Sequence, residues 1–189
     1  MDGTFFAACD IDIAMQLGLH KGMAMSDDLA RRLRSEDRRL SLRQKLYRFA
    51  TYKPRTEQQV RKKLEELEAV DAEVTELLAW IRSLGLVDDA AYARRFAEAS
   101  DERKPMSPAA MRRTLRSKGI ADVHIEAALA SRQPEQTIDA ARRVAHKKLR
   151  MLRAETDADR RTKLTRFLQY RGYSWDVIRV VIDEVASTR

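Results

Sequence analysis

MRRTLRSKGIADVHIEAAL, residues 111–129, decides the architecture, because its pattern of apolar positions around a single glycine recurs elsewhere in the chain. Met111, Leu115, Gly119, Ile125 and Leu129 set the spacing, and Leu164, Leu168, Gly172, Ile178 and Ile182 repeat it 53 positions later. A fainter copy lies 51 positions earlier, with Val60, Leu64, Val74 and Leu78 at the apolar positions and Glu68 where glycine is expected. Apolar steps of four place these side chains on one face of a helix. A glycine after a cation, as in Lys118-Gly119 and Arg171-Gly172, ends a helix: it takes the left-handed conformation without steric cost, and the cation meets the negative end of the dipole. Self-similarity at about fifty residues means units that cannot bury their apolar faces alone and stack on their neighbours. The expected fold is all-α. A leader segment, residues 1–40, precedes a tandem array of three three-helix repeats over 41–87, 88–133 and 134–189, which form an elongated, curved body.

The composition agrees. Six glycines and four prolines in 189 residues are about half the usual frequency. Cys9 is the only cysteine, which excludes a disulfide framework or a cysteine-based zinc site within the chain and suits a reducing cytosol. The absence of a long apolar run, and a start that carries Asp2, Asp10 and Asp12, speak for a soluble, cytoplasmic protein with no membrane partner. The net charge is +8, and it is unevenly placed. Residues 1–40 carry six basic and seven acidic side chains, residues 41–104 thirteen and twelve, and residues 105–189 eighteen and ten. A cationic C-terminal part points to a polyanionic partner, nucleic acid first and an acidic protein surface second.

Along the chain, Cys9, Ile11 and Ile13 alternate with Asp10 and Asp12, the period of a half-buried strand, and Gly18 and Gly22 frame a turn. Ser26 is placed to cap a helix running toward Ser35, and a second helix is expected from Ser41, with Leu42, Leu46, Phe49 and Ala50 on one face, ending before Lys53-Pro54. Thr56 and Gln59 form a capping box, Asp71 restarts the chain, and Gly85 closes the helix bearing Val74, Leu77, Leu78, Ile81 and Leu84. Asp88 and Asp89 read as a cap and a dipole partner; neighbouring positions on a helix diverge, so they make a poor metal or acid/base pair. Ser107-Pro108 starts another helix. Pro134 to Arg153 reads as the most basic helix, and Ser174 or Asp176 starts the last one. Tyr173 and Trp175 are expected to pack between helices.

Catalytic chemistry finds no residues to carry it. The six glycines form no phosphate cradle, and His20, His124 and His146 lie far apart with no ligand at helical spacing. No nucleophile and base can be paired. Binding without cofactor or metal is the expected mode, and the protein is read as a non-enzyme.

The order of signatures resembles the RecX family of regulatory proteins. The residues that carry the resemblance are Tyr52-Lys53-Pro54-Arg55-Thr56-Glu57, Gly85-Leu86-Val87-Asp88-Asp89-Ala90-Ala91-Tyr92-Ala93, Leu115-Arg116-Ser117-Lys118-Gly119-Ile120 and Tyr170-Arg171-Gly172-Tyr173-Ser174. Asp2-Gly3-Thr4-Phe5 and Leu17-Gly18-Leu19-His20-Lys21-Gly22 also look like the leader of many members. The resemblance implies a monomer that binds the RecA recombinase filament on single-stranded DNA. It would inhibit ATPase, strand exchange and filament extension, within recombination, DNA repair and the SOS response. The candidate partner- and DNA-binding residues are Arg94, Arg95, Arg112, Arg113, Arg116, Lys118, Arg142, Arg143, Lys147, Lys148, Arg150 and Arg171. The alternative is a stand-alone nucleic-acid-binding helical module with no recombinase partner.

Overall fold

The computed structural model describes residues 9–153 and 156–187, and the side chains of all of these except 101–103, 186 and 187. The leader motif Asp2-Gly3-Thr4-Phe5 lies outside them. Among the described residues there are ten α-helices and no strand: α1 (Ile11–Gln16), α2 (Asp27–Tyr52), α3 (Glu57–Glu66), α4 (Asp71–Ser83), α5 (Asp89–Arg103), α6 (Pro108–Arg116), α7 (Asp122–Ala130), α8 (Pro134–Leu149), α9 (Asp157–Tyr170) and α10 (Trp175–Ser187). The chain divides into two compact units, one of residues up to 55 with 60–87, the other of residues 56–59 with 88–189.

In the first unit, α1 and α4 both pack on α2. The strand expected around Ile11 is instead a helix. Asp10 caps it by accepting the Asp12 amide at 3.0 Å, and Ile13 is buried while Ile11 is 74% exposed. Alternation over five residues was too short to outweigh a capped helical turn that buries one isoleucine against α2. Ser26 caps α2 as expected, accepting from the Leu29 amide. No break follows at Ser35 or Ser41: α2 is one helix of 26 residues. Glu36 to Leu40 contains neither glycine nor proline to break the helix, and although no residue between the buried Leu33 and Leu42 is itself buried, Glu36, Asp37 and Leu40 are half-buried. Three ion pairs tie its middle to α4, Arg38 to Glu73 at 2.8 Å, and Arg39 and Arg43 to Glu76 at 2.5 and 2.9 Å. The core joins Leu46, Ala50, Val60, Leu64, Leu77, Leu78 and Ile81.

The second unit holds two clusters. Ala93, Leu115, Ile120, Ile125 and Ala128 come together from α5, α6, the turn after it and α7. Ala141, Ala145, Leu164, Leu168, Tyr173, Ile178, Val181, Ile182 and Val185 come from α8, α9, α10 and the turn before α10. Met111, Leu115 and Ile125, three of the four apolar markers of the opening stretch, are fully buried, as are Val60 and Leu64, and the fourth, Leu129, is half-buried; Leu168 and Ile178 are at most 1% exposed.

The turn between the marker helices has one geometry in all three copies. Gly119 and Gly172 have φ of +77° and +83°, and Glu68 has +56°, so the faint copy keeps the conformation without the glycine. The amide of the residue just after each left-handed one bonds back to the equivalent apolar carbonyl: Ala69 to Leu64 at 3.0 Å, Ile120 to Leu115 at 3.2 Å and Tyr173 to Leu168 at 3.2 Å. These six-to-one bonds close the helix and turn the next apolar residue inward.

A hydroxyl then locks each glycine turn. Thr56 and Ser107 occupy equivalent places and both cap a helix, Thr56 in a reciprocal box with Gln59, and Ser107 by accepting the Ala110 amide at 3.1 Å. Each also donates its hydroxyl proton to a distant carbonyl. Thr56 Oγ1 reaches Lys118 O at 2.8 Å and Ser107 Oγ reaches Arg171 O at 2.6 Å. The two carbonyls immediately precede Gly119 and Gly172, so the same bond joins matching points of successive repeats. Thr56 is 0% exposed and Ser107 1%.

Asp88 caps α5 and Asp89 stands in its first turn as expected, and Asp89 also accepts the Glu57 amide at the start of α3, at 2.9 Å. One expectation about a helix end needs correction. α8 stops at Leu149, four residues before Arg153. Leu149 is the last side chain packed on the cluster and Met151 is already 75% exposed, so no burial sustains a further turn.

Candidate partner and nucleic-acid interface

All twelve candidate cations lie in the second unit. Its helices place them by the same rule that builds the core: apolar positions turn inward and the cations occupy what is left. Arg94 and Arg95 are exposed on α5, flanked by the buried Ala93 and Ala97. Arg112, Arg113 and Arg116 stand on α6 beside the buried Met111 and Leu115, with Lys118 in the turn that follows. Arg142, Arg143, Lys147 and Lys148 stand on α8, Arg150 caps its C-terminal end, and Arg171 caps α9.

Three of the twelve are held by carboxylates of the same unit. Arg112 makes a two-pronged pair with Glu126 of α7 at 2.6 and 2.7 Å, and Arg116 does the same with Asp122 at 2.7 and 3.1 Å. Arg142 grips Glu184 of α10 at 2.8 and 3.0 Å and also bonds Asp139. The hydrogen bond from the arginine is the main reason that Asp122, Glu126 and Glu184 titrate below their ordinary values. These cations strut helices together, a use that spacing along one helix does not reveal. Three more lie over rings: Lys118 over Tyr92 at 5.9 Å, and Lys148 and Arg171 both over Phe167, at 5.3 and 5.9 Å from the ring centre. The ring of α9 therefore brings a cation of α8 and one of the α9 cap to the same place. Arg94, Arg95, Arg113, Lys147 and Arg150 are exposed and have no carboxylate within ion-pair distance among the described residues.

One aromatic expectation fails. Tyr173 is buried, but Trp175 is 65% exposed. Tyr173 is a member of the cluster that includes Ile178, whereas the ring that starts α10 is left in solvent. Tyr170 on the other side of the turn is 85% exposed.

Elsewhere, a recess between α2 and α4 in the first unit is lined by Ser35, Glu36, Arg39, Leu42, Glu73, Glu76 and Leu77. Its facing carboxylates, Glu73 and Glu76, are engaged by Arg38, Arg39 and Arg43 and held below their ordinary values, first by the arginine hydrogen bonds. A carboxylate so paired is a weak general base. Among the described residues no group of three His, Cys, Asp or Glu gathers as a metal ion would need, and no helix is long and apolar enough to cross a membrane.

Comparison with known proteins identifies the repeats. Residues 88–129 match the model of RecX, second three-helix domain, and residues 134–182 match that of RecX, third three-helix domain. The chain belongs to the RecX family. It is 27% identical to the regulatory protein RecX of Limosilactobacillus reuteri over 185 residues, 98% of this chain and 70% of that one. With the regulatory protein RecX of Clostridium acetobutylicum it shares 29% over 191 residues, 99% of this chain and 88% of the other. A crystal structure of regulatory protein RecX superposes with a TM-score of 0.78 at 26% identity, over 97% of this chain and 92% of that one. The crystal structure of RecX from Lactobacillus salivarius shares the fold, with a TM-score of 0.73 at 22% identity over 79% of this chain and 97% of that one. The protein is thus a RecX-family regulator of all-α repeat fold.

Proposed function

We propose that this RecX-family protein binds the RecA recombinase filament on single-stranded DNA and inhibits its ATPase, strand exchange and filament extension. In this reading residues 41–87, 88–133 and 134–189 act as three repeat units behind the 1–40 leader, as a monomer in the cytoplasm. One observation carries it most directly: in the basic part of a regulator, Arg113, Lys147 and Arg150 stand exposed with no carboxylate partner among the described residues. Cations that the fold does not consume are available to acidic protein surface and to phosphate. Contact with several protomers at once would hinder the movements that accompany ATP turnover and favour whichever filament conformation is bound best. Arg112, Arg116 and Arg142 can contribute too, since exposed ion pairs are weak and exchange partners cheaply.

The test is a titration of this protein into the single-strand-dependent ATPase of the cognate RecA at moderate salt, with naked-strand binding followed in parallel. Inhibition well below one molecule per recombinase protomer, where naked strand is barely bound, is the expected result. ATPase loss only at amounts that coat the strand would overturn it in favour of a stand-alone nucleic-acid-binding module. Such a module, with about six phosphate contacts, should have a log–log salt slope of roughly −4 on single strands. Arg113→Glu, Lys147→Glu and Arg150→Glu together should leave the helical circular dichroism intact and remove inhibition. These three disturb none of the internal pairs, which Arg142→Glu would.

A further inference from the structure

The turn that joins α9 to α10 carries two large rings in solvent, Tyr170 at 85% and Trp175 at 65% exposure. The fold does not ask for them. At the matching positions of the opening repeat stand Ser117 and Asp122, and in the faint copy Glu66 and Asp71, around turns of the same geometry. Polar residues therefore satisfy this backbone twice, and aromatics replace them only in the most basic part of the chain.

Their surroundings select the ligand. Arg166 lies one turn before Tyr170 on α9 and is exposed. Arg179 lies one turn after Trp175 on α10 and is 73% exposed; its one ion pair here is with Asp176, at 3.3 Å, itself 89% exposed. Arg171 and Lys148, over Phe167, add two further cations. Gln169 and Ser174, the exposed neighbours of the rings, are polar. A patch for an apolar protein surface would be ringed by aliphatic side chains, whereas rings set among cations match bases and phosphates.

We propose that Tyr170 and Trp175 form a base-stacking site for single-stranded nucleic acid, with Arg166 and Arg179 on its phosphates. This rests on the filament reading and deepens it by naming where the protein touches the strand.

The chain has two tryptophans, Trp80 and Trp175, so Trp80→Phe leaves a single reporter in the proposed site. Oligothymidylate added to that variant at low salt should quench the remaining fluorescence. With a labelled oligothymidylate followed by anisotropy, Tyr170→Ala and Trp175→Ala should each weaken binding by roughly five- to 150-fold, the range for loss of one base–aromatic stack. Trp175→Phe should retain most of it. Failure of the parent protein to bind the strand, or alanine variants that bind it as tightly as the parent, overturns the site. Quenching by RecA alone with none by oligothymidylate overturns it in favour of protein docking. None of these results alters the ATPase titration, so the two readings fail separately.

Discussion

Gly119→Ala and Gly85→Ala change the same chemistry at nearly the same backbone angle, with φ of +77° and +67°, in different surroundings. At Gly85 an added Cβ meets nothing within 4 Å. Its cost is the left-handed strain of an L-residue, about 1–2 kcal/mol, less about 0.4–1 kcal/mol recovered by stiffening the unfolded chain, so a net loss near 1 kcal/mol. At Gly119 the added Cβ falls 2.5 Å from the Cβ, Cδ and Oε1 of Gln58. Cδ and Oε1 can swing away, but the Cβ of Gln58 moves only with the backbone of α3. That overlap adds an overpacking cost of about 1–3 kcal/mol, for a total of roughly 2–4 kcal/mol. It also pries at the Thr56 hydroxyl bond to Lys118 O, two residues from Gln58. Urea unfolding of the full chain, followed by circular dichroism at 222 nm, measures both losses with slopes compared to confirm the same cooperative unit. Equal losses for the two variants, or a larger one at Gly85, would refute the claim that glycine is needed at 119 for the close approach as well as for its angle.

The remaining expectations can be checked with the same preparations. Ser107→Ala removes a helix cap and leaves Arg171 O without its 2.6 Å donor, so it should cost about 2–4 kcal/mol, whereas Ser107→Thr, which restores the residue type of position 56, should cost under about 1 kcal/mol; equal losses would dismiss the hydroxyl lock. Leu115→Asp, at a fully buried position, should cost at least about 4 kcal/mol, and a variant with native helical signal and unchanged melting would contradict the core assignment. Acid should destabilise the protein through Asp122, Glu126, Glu184, Glu73 and Glu76, whose pairs with arginine hold them below the ordinary 3.8 and 4.5. A depressed folded-state value means that their contribution is present above the ordinary value and fades as the pH falls below it. Melting temperature should therefore be steady from pH 7 to about 5 and decline below about 4.5. Glu126→Gln should flatten part of that decline, and an unchanged profile would rule out a role for that pair.

Much of this was legible in the chain because helices are local. Apolar spacing, the Ser26, Asp88 and Ser107 caps, the stop before Lys53-Pro54 and the glycine turns depend on contacts within about four residues, and each stands where the spacing put it. The repeat was legible too, even in the copy where Glu68 replaces glycine. Short-range signals misled where tertiary contacts, not local preference, decided the outcome: Ile11 to Ile13 became helix by packing Ile13 on α2, and α2 runs through Ser35 and Ser41 where Arg38, Arg39 and Arg43 pair with carboxylates of α4.

The distribution of labour among the surface side chains belonged to the tertiary structure alone. One helix carries Arg112 and Arg113 side by side, and nothing in their spacing says that Glu126 fourteen residues on will claim the first and leave the second exposed. Thr56 and Ser107 read as caps, yet their second bonds reach 62 and 64 residues along the chain. Tyr173 and Trp175, two residues apart, are alike as sequence and opposite in burial, since only Tyr173 joins the cluster formed by α8, α9 and α10. Sequence periodicity determined which faces turn inward; which outward groups remain free for a partner was decided only when distant helices met and their charges paired.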